Sequence, residues 1–159
     1  MTDTPMVMRE NQFKQLTSVL TKLHVDAAMR VVFLVDKNGQ QIAALGDIGD
    51  LDTTSLVSLA AGNVAATGGM AQLIGEKEFP TLSHEGERES IYICVINRAL
   101  LVVVFDDRSS LGLVKLRVKQ ASRELAAIFE DAALENEKHK SEDSMFSEIT
   151  DEDIDTLFN

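Results

Sequence analysis

Ser90-Ile-Tyr-Ile-Cys-Val-Ile-Asn-Arg-Ala-Leu-Leu-Val-Val-Val-Phe105 is the stretch that decides the fold. Two apolar, β-branched runs, Ser90 to Ile96 and Ala99 to Phe105, flank the dipeptide Asn97-Arg98. Each run is too short and too β-branched for a helix, and a two-residue connection joins antiparallel strands. The chain therefore contains a strong β-hairpin, and its neighbours must build a sheet around it.

Upstream, Val31-Val-Phe-Leu-Val35 is apolar at every position and reads as a strand covered on both faces, placed centrally. Asp36-Lys-Asn-Gly39 supplies a turn, with Asn38 and Gly39 able to take positive φ, and Gln40 to Leu45 returns as a second strand. The Asp-x-Asn-Gly pattern is no EF-hand loop, because the twelfth position holds Asp47 where a bidentate Glu is required. Thr81-Leu-Ser-His-Glu-Gly86 is a polar, weaker strand and belongs at an edge.

Three helices surround these strands. Phe13, Leu16, Leu20, Leu23 and Ala27 share one face of a helix over about residues 9 to 27. After Ser109 or Ser110 as cap, Leu111, Val114, Val118, Ala121, Leu125, Ile128 and Ala132 form an unbroken stripe on the last helix. The middle helix, capped by Asp52, Thr53 or Thr54 and running to about Gly75, is unusual. It contains Gly62, Gly68 and Gly69, each costing ~1 kcal/mol of helix propensity relative to alanine. Leu56, Leu59, Ala60, Val64, Met70 and Ile74 are assigned to the core, and Ser58, Gly62, Ala65 and Gly69 form a second stripe of small residues. Such a stripe lets another backbone come close, from the same chain or from a partner. The fold class is thus α+β, in the order α-β-β-α-β-β-β-α, with a five-stranded antiparallel sheet and helices on its faces.

Beyond Glu135 the helical pattern stops. The chain divides into a domain over 1–134, an acidic linker over 135–145 expected to be flexible, and a C-terminal peptide over 146–159. Residues 135–159 hold nine acidic and two basic side chains and so carry −7 of the net charge of −11. Thr150-Asp-Glu-Asp153 caps a short helix whose Ile154, Leu157 and Phe158 share a face, with Phe146 and Ile149 as further anchors upstream. Eight residues do not hold a helix alone in water, where about 12 to 15 are marginal, so this peptide is expected to order on a partner.

The charge excludes general affinity for nucleic-acid phosphates or anionic lipid. Met1-Thr-Asp-Thr-Pro5 lacks the basic and apolar regions of a signal peptide, and the longest apolar run, Ala99 to Phe105, is too short to insert in a membrane. The expected location is cytoplasmic. Cys94 is the sole cysteine and reads as a buried, inert thiol. There is no phosphate-binding Gly-x-x-x-x-Gly-Lys-Ser/Thr loop, no Gly-x-Gly-x-x-Gly and no Gly-x-Ser-x-Gly. His24, His84 and His139 lack partners at metal-ligand spacing, and His84-Glu85 reads as a surface pair. Arg98 and Arg108 stand in loops, where turn roles outweigh insertion into another enzyme's site. No catalytic residue, metal or cofactor is assigned.

The element order, together with Val31-Val-Phe-Leu-Val-Asp-Lys-Asn-Gly39, Asp52-Thr-Thr-Ser-Leu56, Ala61-Gly-Asn-Val-Ala-Ala66, Glu78-Phe-Pro80, His84-Glu-Gly86, Ser110-Leu-Gly-Leu-Val114 and the ending Ile149 to Phe158, resembles the roadblock family over nearly the whole chain. The resemblance implies a homodimer in which the third strands pair and the second helices pack together. Two protomers then bind one GTP-loaded Ras-like small GTPase, activating its hydrolysis and modulating nucleotide exchange. Ala65 and Gly69 match the family positions that approach the GTPase, and Ser58 and Gly62 extend the same stripe. Thr67 and Met70 depart from the pattern beside it. Hydrolysis in this family uses the GTPase's own groups, so no arginine role passes to Arg98 or Arg108. The C-terminal peptide resembles a segment that docks on the GTPase away from the platform. The implied setting is bacterial cell polarity and gliding motility, with concentration at a cell pole. The alternative is a non-catalytic dimeric adaptor that binds the GTPase or polarity proteins without changing turnover. A small-ligand sensor is disfavoured by the lack of a convergent polar cluster.

Overall fold

A computed structural model describes residues 8–147 of the chain, with side chains through Glu142. The order is α1 (Glu10–Asp26), β1 (Val31–Asp36), β2 (Gln41–Gly46), α2 (Thr53–Leu73), β3 (Thr81–Glu85), β4 (Ser90–Ile96), β5 (Ala99–Phe105) and α3 (Leu111–Ser147). The sheet runs β2-β1-β5-β4-β3, antiparallel throughout. The hairpin of the opening stretch closes Ser90 on Phe105 and Ile96 on Ala99, with Asn97 at φ +53° in the turn. Its second strand, β5, is the middle strand, and all seven of its residues are buried. Strand β1 lies beside it, one place from the edge.

Pleating sends alternate side chains to opposite faces. Val31, Phe33, Val35, Leu100, Val102 and Val104 point toward α2, and Val32, Leu34, Leu101, Val103 and Phe105 toward α1 and α3. The double burial explains the unbroken apolar composition of β1 and β5. Strand β3, mostly exposed, is an edge, as its polarity requires.

In the first turn only Gly39 takes positive φ, at +87°; Asn38 does not. Asp36 organises the loop, its carboxylate accepting from the Asn38 and Gln40 amides at 3.0 and 2.9 Å. In α1, Leu16, Leu20, Leu23 and Ala27 are buried as expected, but Phe13 is exposed and Gln12 is buried instead. Gln12 is held on both sides. Its Oε1 accepts from the Arg9 amide at 3.0 Å, and its Nε2 donates to Glu135 on α3 at 3.1 Å.

Helix α3 does not end near Leu134. It continues to Ser147, so the stretch 135–145, expected to be a flexible linker, is helical. It contains no Gly or Pro, its Glu and Lys residues are good helix formers, and Glu135 anchors the start through Arg9 and Gln12. The absence of an apolar stripe there reports lack of burial, not lack of helix.

Candidate functional site

Helix α2 begins at Asp52, whose carboxylate accepts from the Ser55 amide at 3.1 Å and from the Ser55 hydroxyl at 2.6 Å. These bonds to the ionised form hold the Asp52 carboxyl below its ordinary value. The helix lies close to the sheet because the residues beneath it are small: Val57, Ala60, Ala61 and Ala71 are the buried ones. Gly39 helps to seat it, since a Cβ there would stand 3.1 Å from Ser58 Cα. With four of its 21 residues buried, α2 shows most of its surface outward.

That outward surface corrects the expected core face. Leu59, Met70 and Ile74, assigned to the core, are 72%, 61% and 69% exposed, and Leu73 is 87% exposed. Ala60 is buried, and Leu56 and Val64 are partly buried. Helix α2 is apolar on almost every side, so periodicity defined its inner direction poorly. The packed side is centred on Val57, Ala60, Val64 and Ala71.

Ser58, Gly62, Ala65 and Gly69 are all exposed and lie on one flank of the outer face. Leu59, Ala66, Met70 and Leu73 form the adjoining ridge. Among the described residues, a Cβ built at Gly62, Gly68 or Gly69 meets nothing within 4 Å, so none of them occupies the space these glycines leave. The result is one exposed helix face, smooth along one flank and apolar along the other.

Asn63 links this helix to the sheet edge. Its Nδ2 lies 2.7 Å from Nε2 of His84 on β3, so His84 faces α2 and is not simply a partner of Glu85. The Leu59–Leu73 ridge and the Asn63–His84 link escaped the sequence reading; the ridge was legible as apolar positions three and four apart, the link was not. Among the described residues, no strand pairs with the outer edge of β3.

The remaining candidates lie elsewhere. Arg108 Nε donates to its neighbour Asp106 at 3.0 and 3.2 Å, which holds the Asp106 carboxyl low, and Arg98 is exposed in the β4–β5 turn. Cys94 is half-buried, not fully enclosed; burial pushes its thiol up, and Ser122 Oγ stands 3.6 Å away. No group of three His, Cys, Asp or Glu side chains able to hold a metal ion occurs among the described residues, and none of their helices is long and apolar enough to cross a membrane. Phe146 lies on the last turn of α3, with its side chain outside the described set. Ile149, Ile154, Leu157 and Phe158 lie outside the described residues.

Comparison with protein-family models matches residues 17–105 to the Roadblock/LC7 domain. Among solved structures, MglB of Myxococcus xanthus is similar at 55% identity and a TM-score of 0.74, over 79% of this chain and 96% of that one. The gliding protein MglB of Thermus thermophilus is similar at 34% identity and a TM-score of 0.76, over 81% of this chain and 98% of that one. An MglB structure described as having a tetrameric arrangement is similar at 33% identity and a TM-score of 0.77, over 82% and 98% of the two chains. Comparison with curated protein sequences gives no match.

Proposed function

The chain belongs to the Roadblock/LC7 domain family, and from that premise we propose that it regulates a Ras-like small GTPase of the MglA type. Two copies form a homodimer, with the outer β3 edges pairing and the α2 helices side by side, and the joined α2 faces hold one GTP-loaded GTPase. The carrying observation is the outer face of α2, where Ser58, Gly62, Ala65 and Gly69 are exposed and a Cβ at Gly62 or Gly69 meets nothing among the described residues. Glycine in a helix interior is costly, and close approach by a second backbone is a use that offsets the cost.

The dimer acts without a catalytic group of its own. Arg108 is engaged by Asp106 within its own loop, which supports acceleration through repositioning of the GTPase's own residues over insertion of an arginine. Phe146, Ile149, Ile154, Leu157 and Phe158 make a second contact on the same GTPase, away from the α2 platform, and favour nucleotide exchange. Activation and exchange together would cycle the GTPase at a cell pole during gliding.

GTP turnover by the cognate GTPase, measured with and without the chain, tests this reading. Faster hydrolysis that disappears in Gly69→Arg is the expected result. Binding with unchanged hydrolysis and exchange would select the adaptor reading, and absence of binding would remove the GTPase from the account.

A further inference from the structure

Helix α3 carries its charge in two blocks. From Leu111 to Arg123 it holds basic residues and no acidic one, and beyond Arg123 acidic residues outnumber basic ones. Lys115, Lys119 and Arg123 follow at four-residue spacing, which stacks three like charges on one exposed flank where they repel. Glu130 and Glu137 continue that flank two and four turns beyond Arg123. Among the described residues, none of these five side chains makes an ion pair.

Two large apolar side chains stand beside this flank. Leu116 and Leu134 are 53% and 58% exposed. They are five helical turns apart and so lie on one line, directed away from the buried stripe that includes Val118 and Leu125.

We propose that this outer face of α3 is a contact between two copies of the chain, with the helices antiparallel about a two-fold axis midway between Leu116 and Leu134. The symmetry sets Leu116 of each copy on Leu134 of the other. It also sets Lys119 opposite Glu130 and Lys115 opposite Glu137, each twice, so two of the three residues of the basic row meet acids, while Arg123 lies beside the axis. Ala127, small and exposed, lies beside the axis and permits close approach.

Other occupants fit less well. A nucleic acid or anionic lipid would meet Glu130 and Glu137 on the same flank. The contact is separate from the α2 face, so it stands independently of the GTPase reading. Exposed ion pairs contribute little each, so the association is weak and salt-sensitive.

Sedimentation of the full chain tests it, with thermal melts verifying that each variant is folded. At low salt the mean mass of the unaltered chain should at least double from dilute to concentrated solution and fall back in high salt. Lys119→Glu alone, or Glu130→Lys alone, places like charges opposite each other and should hold the mass at its dilute value. Mixing the two variants makes both cross-contacts opposite in sign and should restore the doubling. A mass that never rises, single variants that associate like the unaltered chain, or a mixture that fails to recover would each overturn the proposal. Association that appears only with added duplex DNA or anionic vesicles would overturn it in favour of an anionic partner.

Discussion

Gly68 and Gly69 are neighbours with different expected roles. Neither has an atom of a described residue within 4 Å of where a Cβ would sit, so Gly68→Ala should raise the chain's stability by about 1 kcal/mol, read from chemical denaturation. GTPase affinity should be retained, because Gly68 lies off the exposed flank. Gly69→Arg should also fold, but lose GTPase binding in a pulldown; retained affinity would mean the flank is not the contact. Asp52 gives a pH-dependent counterpart. Its folded carboxyl is held low by Ser55, so its stabilising effect is complete above the unfolded value of 3.8 and is lost as pH falls through the lower folded value. Asp52→Asn keeps a good cap, so it should match the parent near neutrality and lose less stability as the pH falls below the unfolded carboxyl value of 3.8. Identical acid unfolding curves would exclude the cap as a source of acid sensitivity.

Among the elements, β1 and α3 make contrasting demands. Phe33 on β1 is fully buried between α2 and the sheet, so Phe33→Ala should cost about 3–5 kcal/mol in equilibrium unfolding. A loss below about 1 kcal/mol would show that the α2 layer collapses freely onto the sheet. Helix α3 is unevenly anchored. Its contacts with α1 through Gln12, Arg9 and Glu135 lie ahead of its charged last turns. Removing residues 141–159 should therefore leave the thermal midpoint unchanged while abolishing any effect on nucleotide exchange. A marked fall in the midpoint would place the C-terminal residues in the folded core.

At the scale of the whole molecule, the sheet separates two surfaces. One carries α1 and α3 over a deep apolar layer; the other carries α2 over small residues, and among the described residues its outer face and the β3 edge are uncovered. A chain with one open helix face and one open strand edge is expected to close both on a second copy. Light scattering of the complex with GTP-loaded GTPase should give two chains of the regulator per GTPase. A one-to-one mass would rule out the joined platform.

The strand set, the helix order and the edge character of β3 were determined by the sequence alone, because β-branched runs, two-residue turns and polarity act locally. The Ser58–Gly69 stripe was legible for the same reason, as small residues at helical spacing. Tertiary structure alone decided which side of α2 is inner, since a helix apolar all round has no preferred face until a sheet covers one; this is why Leu59 and Met70 turned out exposed. It also decided that 135–145 is helical, where Glu135 joins Arg9 and Gln12 across more than a hundred residues of chain. Such long-range contacts have no local signature, and burial is a property of the neighbours an element acquires.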